Sequence, residues 1–224
     1  MKHTGRWIKA IALGLSVAFI ISLCGFSGQC AQIRERVVRL HVLANSDSEE
    51  DQALKLKVRD TVVEAAAGLF DGAENAGDAL ALAEKRLPRL QAAAQQRVYD
   101  EGYDYPVQAK LVNMYFTTRV YDTVTLPAGM YDALRITIGE AEGKNWWCVV
   151  FPPMCVSAAT EHKELSDVLD PEQEEIVTQP QKFEVRFKIV ELLESVGNQL
   201  RQWFGGESET EISAASGNSE STAG

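Results

Sequence analysis

Histidine and cysteine are scarce in this 224-residue chain, which holds three of the first and four of the second. His3, Cys24 and Cys30 fall in or beside the first thirty residues, so the rest carries only His41, His162, Cys148 and Cys155. No further Cys/His pair accompanies Cys148 and Cys155, which argues against a zinc site. Basic residues are also short, 22 against 32 acidic ones, for a formal net charge of −10. A chain of that sign repels a phosphate backbone, which excludes nucleic acid as a partner. No internal repeat stands out. Apolar residues make up 46% of the sequence, so the chain as a whole is not disordered.

Long apolar runs are missing too, with one exception. Lys2, Arg6 and Lys9 precede an uncharged run from Ala10 to Phe26. A basic start followed by such a run is the layout of a signal peptide, and its length is at the short end for a membrane span. Residues 1–31 are therefore expected to be a signal peptide or an N-terminal membrane anchor, with everything after Phe26 exported. Ser27-Gly28-Gln29-Cys30-Ala31 offers a signal peptidase only imperfect small residues. Neither Cys24 nor Cys30 follows the small residue of a lipoprotein site. Without the three leader cations the remainder is more acidic still, which favours solubility over adsorption to anionic lipid.

Beyond the leader, residues 33–156 read as one α+β domain. Val38, Leu40 and Val42 alternate with Arg39 and His41, predicting a strand over Val37–Leu43 with a wet face. Ser46 and Glu49 suggest a capping box, and apolar spacing carries a helix from there to Asp71-Gly72. A second helix runs from Asp78 to Tyr99, with Pro88 expected to kink or split it. Val107–Tyr121, Leu134–Ile138 and Trp146–Phe151 read as strands, with a turn at Pro127-Ala128-Gly129, a polar loop over Gly139–Asn145 and a stop at Pro152-Pro153. Strand, two helices, then a mostly antiparallel sheet implies helices packed on one face of that sheet. Residues 157–181 read as an acidic linker and 182–204 as an amphipathic C-terminal helix. Phe183, Phe187, Val190, Leu193, Leu200 and Trp203 form the helix's docking stripe. Residues 205–224 are Ser/Glu/Gly-rich and expected to be disordered.

Few constellations could carry chemistry. His41 could be grouped with Ser46 and Asp47 as a triad, but those two are better explained as helix-start residues. Asp47, Glu49, Glu50 and Asp51 cluster, yet lack the pattern and central Gly of a calcium loop. Gly139–Asn145 is a poor phosphate loop, with two acids inside and Asn in place of Ser/Thr. No catalytic residue, metal site or cofactor is therefore expected, nor a small-molecule substrate. Cys148 and Cys155 could form a disulfide across the Pro-Pro bend or remain buried thiols. Trp146 and Trp147 must face opposite sides of a strand, which leaves one available as a contact residue. His41, Asn45, Asp47, Asn145, Trp146 and Trp147 are the candidate partner-binding residues.

Two segments resemble a known family. One is Val38-Arg39-Leu40-His41-Val42-Leu43-Ala44-Asn45-Ser46-Asp47-Ser48, continuing through Asp51 to Asp60. The other is Leu126-Pro127-Ala128-Gly129-Met130-Tyr131-Asp132-Ala133-Leu134-Arg135, continuing from Ile138 to Cys155. Both are similar to stage II sporulation protein R, over roughly residues 33–156. The resemblance implies a secreted sporulation signal, made in the forespore and exported into the space between forespore and mother cell. There it would activate a membrane-embedded aspartic protease of the mother cell, which cleaves pro-sigma-E. Two other readings of the residues stay open. One is an exported cell-wall-type hydrolase using polar groups near His41, Asp47 and Asn145. The other is an anchored envelope interaction domain.

Overall fold

The computed structural model describes residues 2–66, 68–70, 72–121, 124–154, 165–204 and 209–212. A long helix α1 (Lys2–Glu35) leads into strand β1 (Val38–Leu43) and helices α2 (Glu49–Ala66) and α3 (Ala76–Asp100). Strands β2 (Val107–Phe116), β3 (Arg119–Tyr121), β4 (Val124–Leu126), β5 (Gly129–Ile138) and β6 (Asn145–Phe151) follow. Helices α4 (Pro171–Thr178) and α5 (Glu184–Trp203) and a short strand β7 (Glu209–Glu211) complete the order. The main sheet runs β6-β1-β5-β2-β7, while β3 and β4 form a separate hairpin. Among the described residues only β1 and β5 are parallel; the other pairings are antiparallel. The fold is mixed helix and sheet, with the C-terminal helix the periodicity predicts.

Several boundaries move for local reasons. Helix α2 starts at Glu49 because Ser48, not Ser46, caps it: Ser48 Oγ accepts from the Asp51 N–H at 3.1 Å. It ends at Ala66, earlier than Asp71-Gly72. Helix α3 starts where Asn75 Oδ1 accepts from the Asp78 N–H at 3.0 Å. Pro88 does not split it. The proline sits on the exposed side, where its ring and missing N–H disturb no core contact. Of the stretch expected to be a loose linker, the part from 165 onward is ordered, and Leu169, Gln173, Ile176 and Val177 are buried. The expected disordered tail lies outside the described residues apart from 209–212, where β7 pairs with β2.

Helices cover both faces of the sheet, not one. On the first face Val38, Leu40, Val42, Leu134, Ile136 and Ile138 meet α2 and α3, whose Ala79, Ala83 and Ala94 allow close approach. The second face carries Val112, Met114, Phe116, Tyr131, Ala133 and Val149, packed against α1, α4 and α5. Covering both faces explains why β1 has no wet side: Arg39 and His41 are 0% and 3% exposed.

Helix α1 has two characters. Its first half projects from the domain with Trp7, Ile11, Leu15 and Phe19 exposed, and α1 is the one described helix long and apolar enough to cross a membrane. That feature is shared by signal sequences and anchors. Its last turns are core: Phe26, Cys30 and Ile33 are buried. Phe26 stacks on Phe183 at 5.6 Å and meets Phe187 edge-on at 5.3 Å. Polar bonds fasten the same turns. The fully buried Gln173 donates to Gln29 and Gln32, Arg34 donates to Ala128 O and Glu194, and Arg36 donates to Val168 O and Asp170. Gly129 has φ +142, and a Cβ there would lie 2.7 Å from Arg34, so the arginine's seat depends on that glycine.

Phe26→Ala should cost about 3–5 kcal/mol if the end of α1 is core. Urea unfolding of the detergent-solubilised chain, followed by Trp fluorescence, measures it. A cost below about 1 kcal/mol would mean that α1 only rests on the domain.

Candidate functional site

The candidate residues gather around the C-terminal end of β1 and the loop that feeds β6. Strand register sets this, because His41 lies opposite Trp147, Val42 opposite Trp146 and Leu43 opposite Asn145. His41 Nε2–H donates to Asn145 Oδ1 at 2.9 Å. The His41 ring lies flat on Trp147, centroids 3.9 Å apart and planes 6° from parallel. Phe116 stands edge-on to Trp147 at 4.7 Å, and the Arg119 guanidinium lies 5.6 Å from the same indole. Trp146 points the other way, under the Arg59 guanidinium of α2 at 4.4 Å, and stays 36% exposed. His41, Asn145 and Trp147 thus form one cluster, with Trp146 across the sheet from it.

Asn45 and Asp47 do a different job. Asn45 Oδ1 accepts from the Glu140 N–H at 3.0 Å, and its Nδ2 donates to Asp51 at 2.8 Å. Asp47 Oδ1 accepts from the Lys144 N–H at 2.7 Å. The backbones join as well, with Gly143 N–H donating to Ala44 O and Glu142 N–H to Asn45 O. Lys55 is buried and donates to Gln52 Oε1 and Lys144 O. Gly143 sits so close that an added Cβ would lie 2.1 Å from Ser46 O. These bonds fix the 139–145 loop against the start of α2. Burial raises the Asp51 carboxyl, but bonds from Ser46, Asn45 and Tyr105 outweigh it and hold its pKa below the ordinary value.

The triad arrangement is not built. Ser46 donates to Asp51 and Asp47 receives the Lys144 amide, so neither reaches His41. His41 Nδ1 is buried with no partner. Burial lowers the His41 pKa from 6.5 to about 4; the Asn145 hydrogen bond opposes it, and the charges of Arg135 and Arg39 add smaller downward pushes. The ring is therefore neutral, and its one described polar contact is an amide. Among the described residues no group of three His, Cys, Asp or Glu could hold a metal. Cys148 is disulfide-bonded and Cys24 and Cys30 are free; Cys155 and His162 lie outside the described residues.

Sequence reasoning missed the residue beneath this cluster. Arg39 is fully buried, its guanidinium 4.2 Å from the Phe116 ring centroid, 4.8 Å from that of Tyr131 and 5.5 Å from that of Tyr121. It donates to the Tyr121 hydroxyl, while Nε and Nη1 have no hydrogen-bond partner. Three aromatic faces thus stand in for a carboxylate around a buried cation. The available signal was the set of aromatics in Phe116, Tyr121 and Tyr131, but nothing in their spacing says that they converge on one strand.

The profile of the stage II sporulation protein R family matches residues 34–161, more than half of the chain. These residues include β1 to β6 and all six candidate contact residues, whereas most of α1 and all of α4, α5 and β7 lie outside. Stage II sporulation protein R of Bacillus subtilis (strain 168) is 36% identical over 123 residues, which cover 55% of this chain and 55% of that protein. The chain thus spans about half the length of this curated relative. No solved structure matches.

The His41 shift has a consequence for stability. The unfolded histidine takes up a proton near pH 6.5, while the folded one does so only near 4. Stability should therefore fall as pH drops through that window, by up to about 3 kcal/mol, and be flat in this respect above it. Urea midpoints at pH 7 and pH 5 should differ less for His41→Phe than for the wild-type chain. Equal pH losses in both would contradict a neutral buried ring.

Proposed function

The chain belongs to the stage II sporulation protein R family, and from that premise we propose that it is an exported sporulation signal acting by contact, not catalysis. Its site of action is the space between forespore and mother cell. Its target is the exposed side of a membrane-embedded aspartic protease of the mother cell, which in turn cleaves pro-sigma-E. The surface that engages the protease is the end of β1 with the 139–145 loop. Asn145 and Trp146 supply exposed groups there, Trp146 on the α2 face beside Arg59, while on the opposite face Trp147 and His41 hold Asn145 in place.

The observation that carries this reading is the family match over residues 34–161, which contain that whole end of the sheet. The chemistry of the surface supports it. His41 is spent on stacking and on Asn145, and the Asp47 carboxylate on a backbone amide. A fixed surface with an exposed indole suits recognition, where Trp is a frequent hot-spot residue. Helix α1 acts as an anchor, because cutting at Ser27–Ala31 would strip Phe26 from the second core and sever a helix whose next turn is buried. Binding activates the protease by favouring one of its states through differential affinity.

The full chain, expressed in cells that carry the protease and pro-sigma-E, should raise pro-sigma-E cleavage. Trp146→Ala should lower it at least tenfold with an unchanged unfolding midpoint, about the effect of losing one hot spot. No cleavage above background with the wild-type chain would end the signalling reading. Full activity of Trp146→Ala would remove this surface from it.

A further inference from the structure

Helix α5 is apolar on two opposite sides, and only one of them is covered. Phe187 and Val190 are buried against α1 and the sheet, with Phe183 half-buried beside them. Leu193, Leu200 and Trp203, expected from the periodicity to share that docking stripe, are exposed. They adjoin a second stripe on the far side: Val185, Ile189, Leu192, Val196 and Trp203, at spacings of four and three, with Gln199 completing the series. All five apolar members are exposed except Ile189, which is half-buried. Helices that are apolar all round are normally covered all round.

Lipid does not reach this stripe if α1 is the anchor. Phe26 contacts Phe183 and Phe187, while Arg34, further along α1, ion-pairs with Glu194 at 3.0 Å. The two helices therefore run side by side in the same direction. Helix α5 leaves the level at which the apolar span ends and carries its exposed side chains outward, over roughly 27 Å from Val185 to Trp203.

We propose that this stripe pairs with the same stripe of a second copy of the chain, as a parallel two-helix contact on a two-fold axis. Three observations favour that occupant. The 4-3-4 spacing is that of a coiled-coil seam, and Gln199 is the single polar residue in it, the usual device for fixing register. Glu191 and Glu194 lie towards the docked side of the helix, whereas Lys188 and Ser195 flank the stripe, Lys188 paired with Glu184 at 3.3 Å. Two copies of a chain of net charge −10 thus meet along a seam that itself contains no acid and whose nearest acid, Glu184, is paired with Lys188. The area supports this. Trp203 is 84% exposed, and an aromatic side chain of this kind offers roughly 150–250 Å². The exposed aliphatic members add to it, giving a good part of the ~800 Å² per partner of a standard interface. Membrane anchoring adds the orientation, because two copies held by α1 in one bilayer present α5 in parallel and at one height. That last argument rests on the anchored reading above; the stripe itself does not.

The test uses the full chain in detergent micelles or nanodiscs. Sedimentation at about 10 μM should show a dimer. Leu192→Glu with Val196→Glu, both at exposed positions, should leave the circular dichroism unchanged and raise the dimer dissociation constant at least tenfold. In a Cys24→Ala background, Leu192→Cys should cross-link between copies on mild oxidation, and Glu184→Cys should not. A monomeric wild-type chain, a double variant that stays dimeric, or equal cross-linking at the two positions would each overturn the proposal. A protein partner on this face in place of a second copy gives the first of these results. Pro-sigma-E cleavage is read separately, so a wild-type chain that stays monomeric yet still raises cleavage counts against the pairing alone.

Discussion

The burial of the last turns of α1 is the constraint on which the rest of the structure depends. An apolar helix that merely targets a chain for export has no reason to end inside a core. Here Phe26, Cys30 and Ile33 fill the second face of the sheet, and Gln29, Gln32, Arg34 and Arg36 are bonded to the segments that follow β6. Each buried apolar side chain of that size contributes on the order of 2 kcal/mol, so the helix and domain stabilise each other. The same contacts fix the direction of α5 and, through Arg34 and Gly129, the entry to β5. A domain tied to its helix in this way cannot rotate freely about it, so the anchored reading gives the end of β1 a set orientation to the bilayer.

That end of the sheet is rigid for electrostatic reasons as much as for packing. Strand β1 lies inside a five-stranded sheet, between β5 and β6, and carries a charged and a titratable side chain into a covered face. Arg39 is tolerated because aromatic rings surround it and Tyr121 accepts from it; His41 is tolerated because it stays neutral. Above them the 139–145 loop has its backbone groups bonded to Asn45, Asp47 and Ala44, and its Gly143 leaves no space for a side chain. Preorganisation of this kind lowers the ordering cost of binding, which suits a surface whose proposed work is recognition.

Much of this was legible in the residues. Alternation in Val38–Leu43, the periodicity of α2 and α3 and the runs of β-branched residues give the elements of the matched domain, and adjacent tryptophans in a strand must diverge. Four things were not. The polar face of β1 looked wet because alternation reports which side chains are polar, not whether a hairpin and three helices cover them. Pro88 looked like a break because local propensity ignores which side of the helix the proline occupies. The acidic stretch after Ser157 looked loose because charge dominates its composition, while Leu169, Ile176 and Val177, which dock it, are too widely spaced to form a pattern. The sheet end was found through its unusual residues, but its organiser Arg39 was not, since convergence of Phe116, Tyr121 and Tyr131 is a tertiary fact.

The most direct test of the central claim is the N-terminus of the chain as producing cells make it. Mass spectrometry of the protein from their membrane fraction should recover peptides from before Ser27 in the same polypeptide as the domain, with little of the domain in the soluble exported fraction. A soluble species beginning between Ser27 and Gln32 would contradict the claim that α1 is built into the domain it carries.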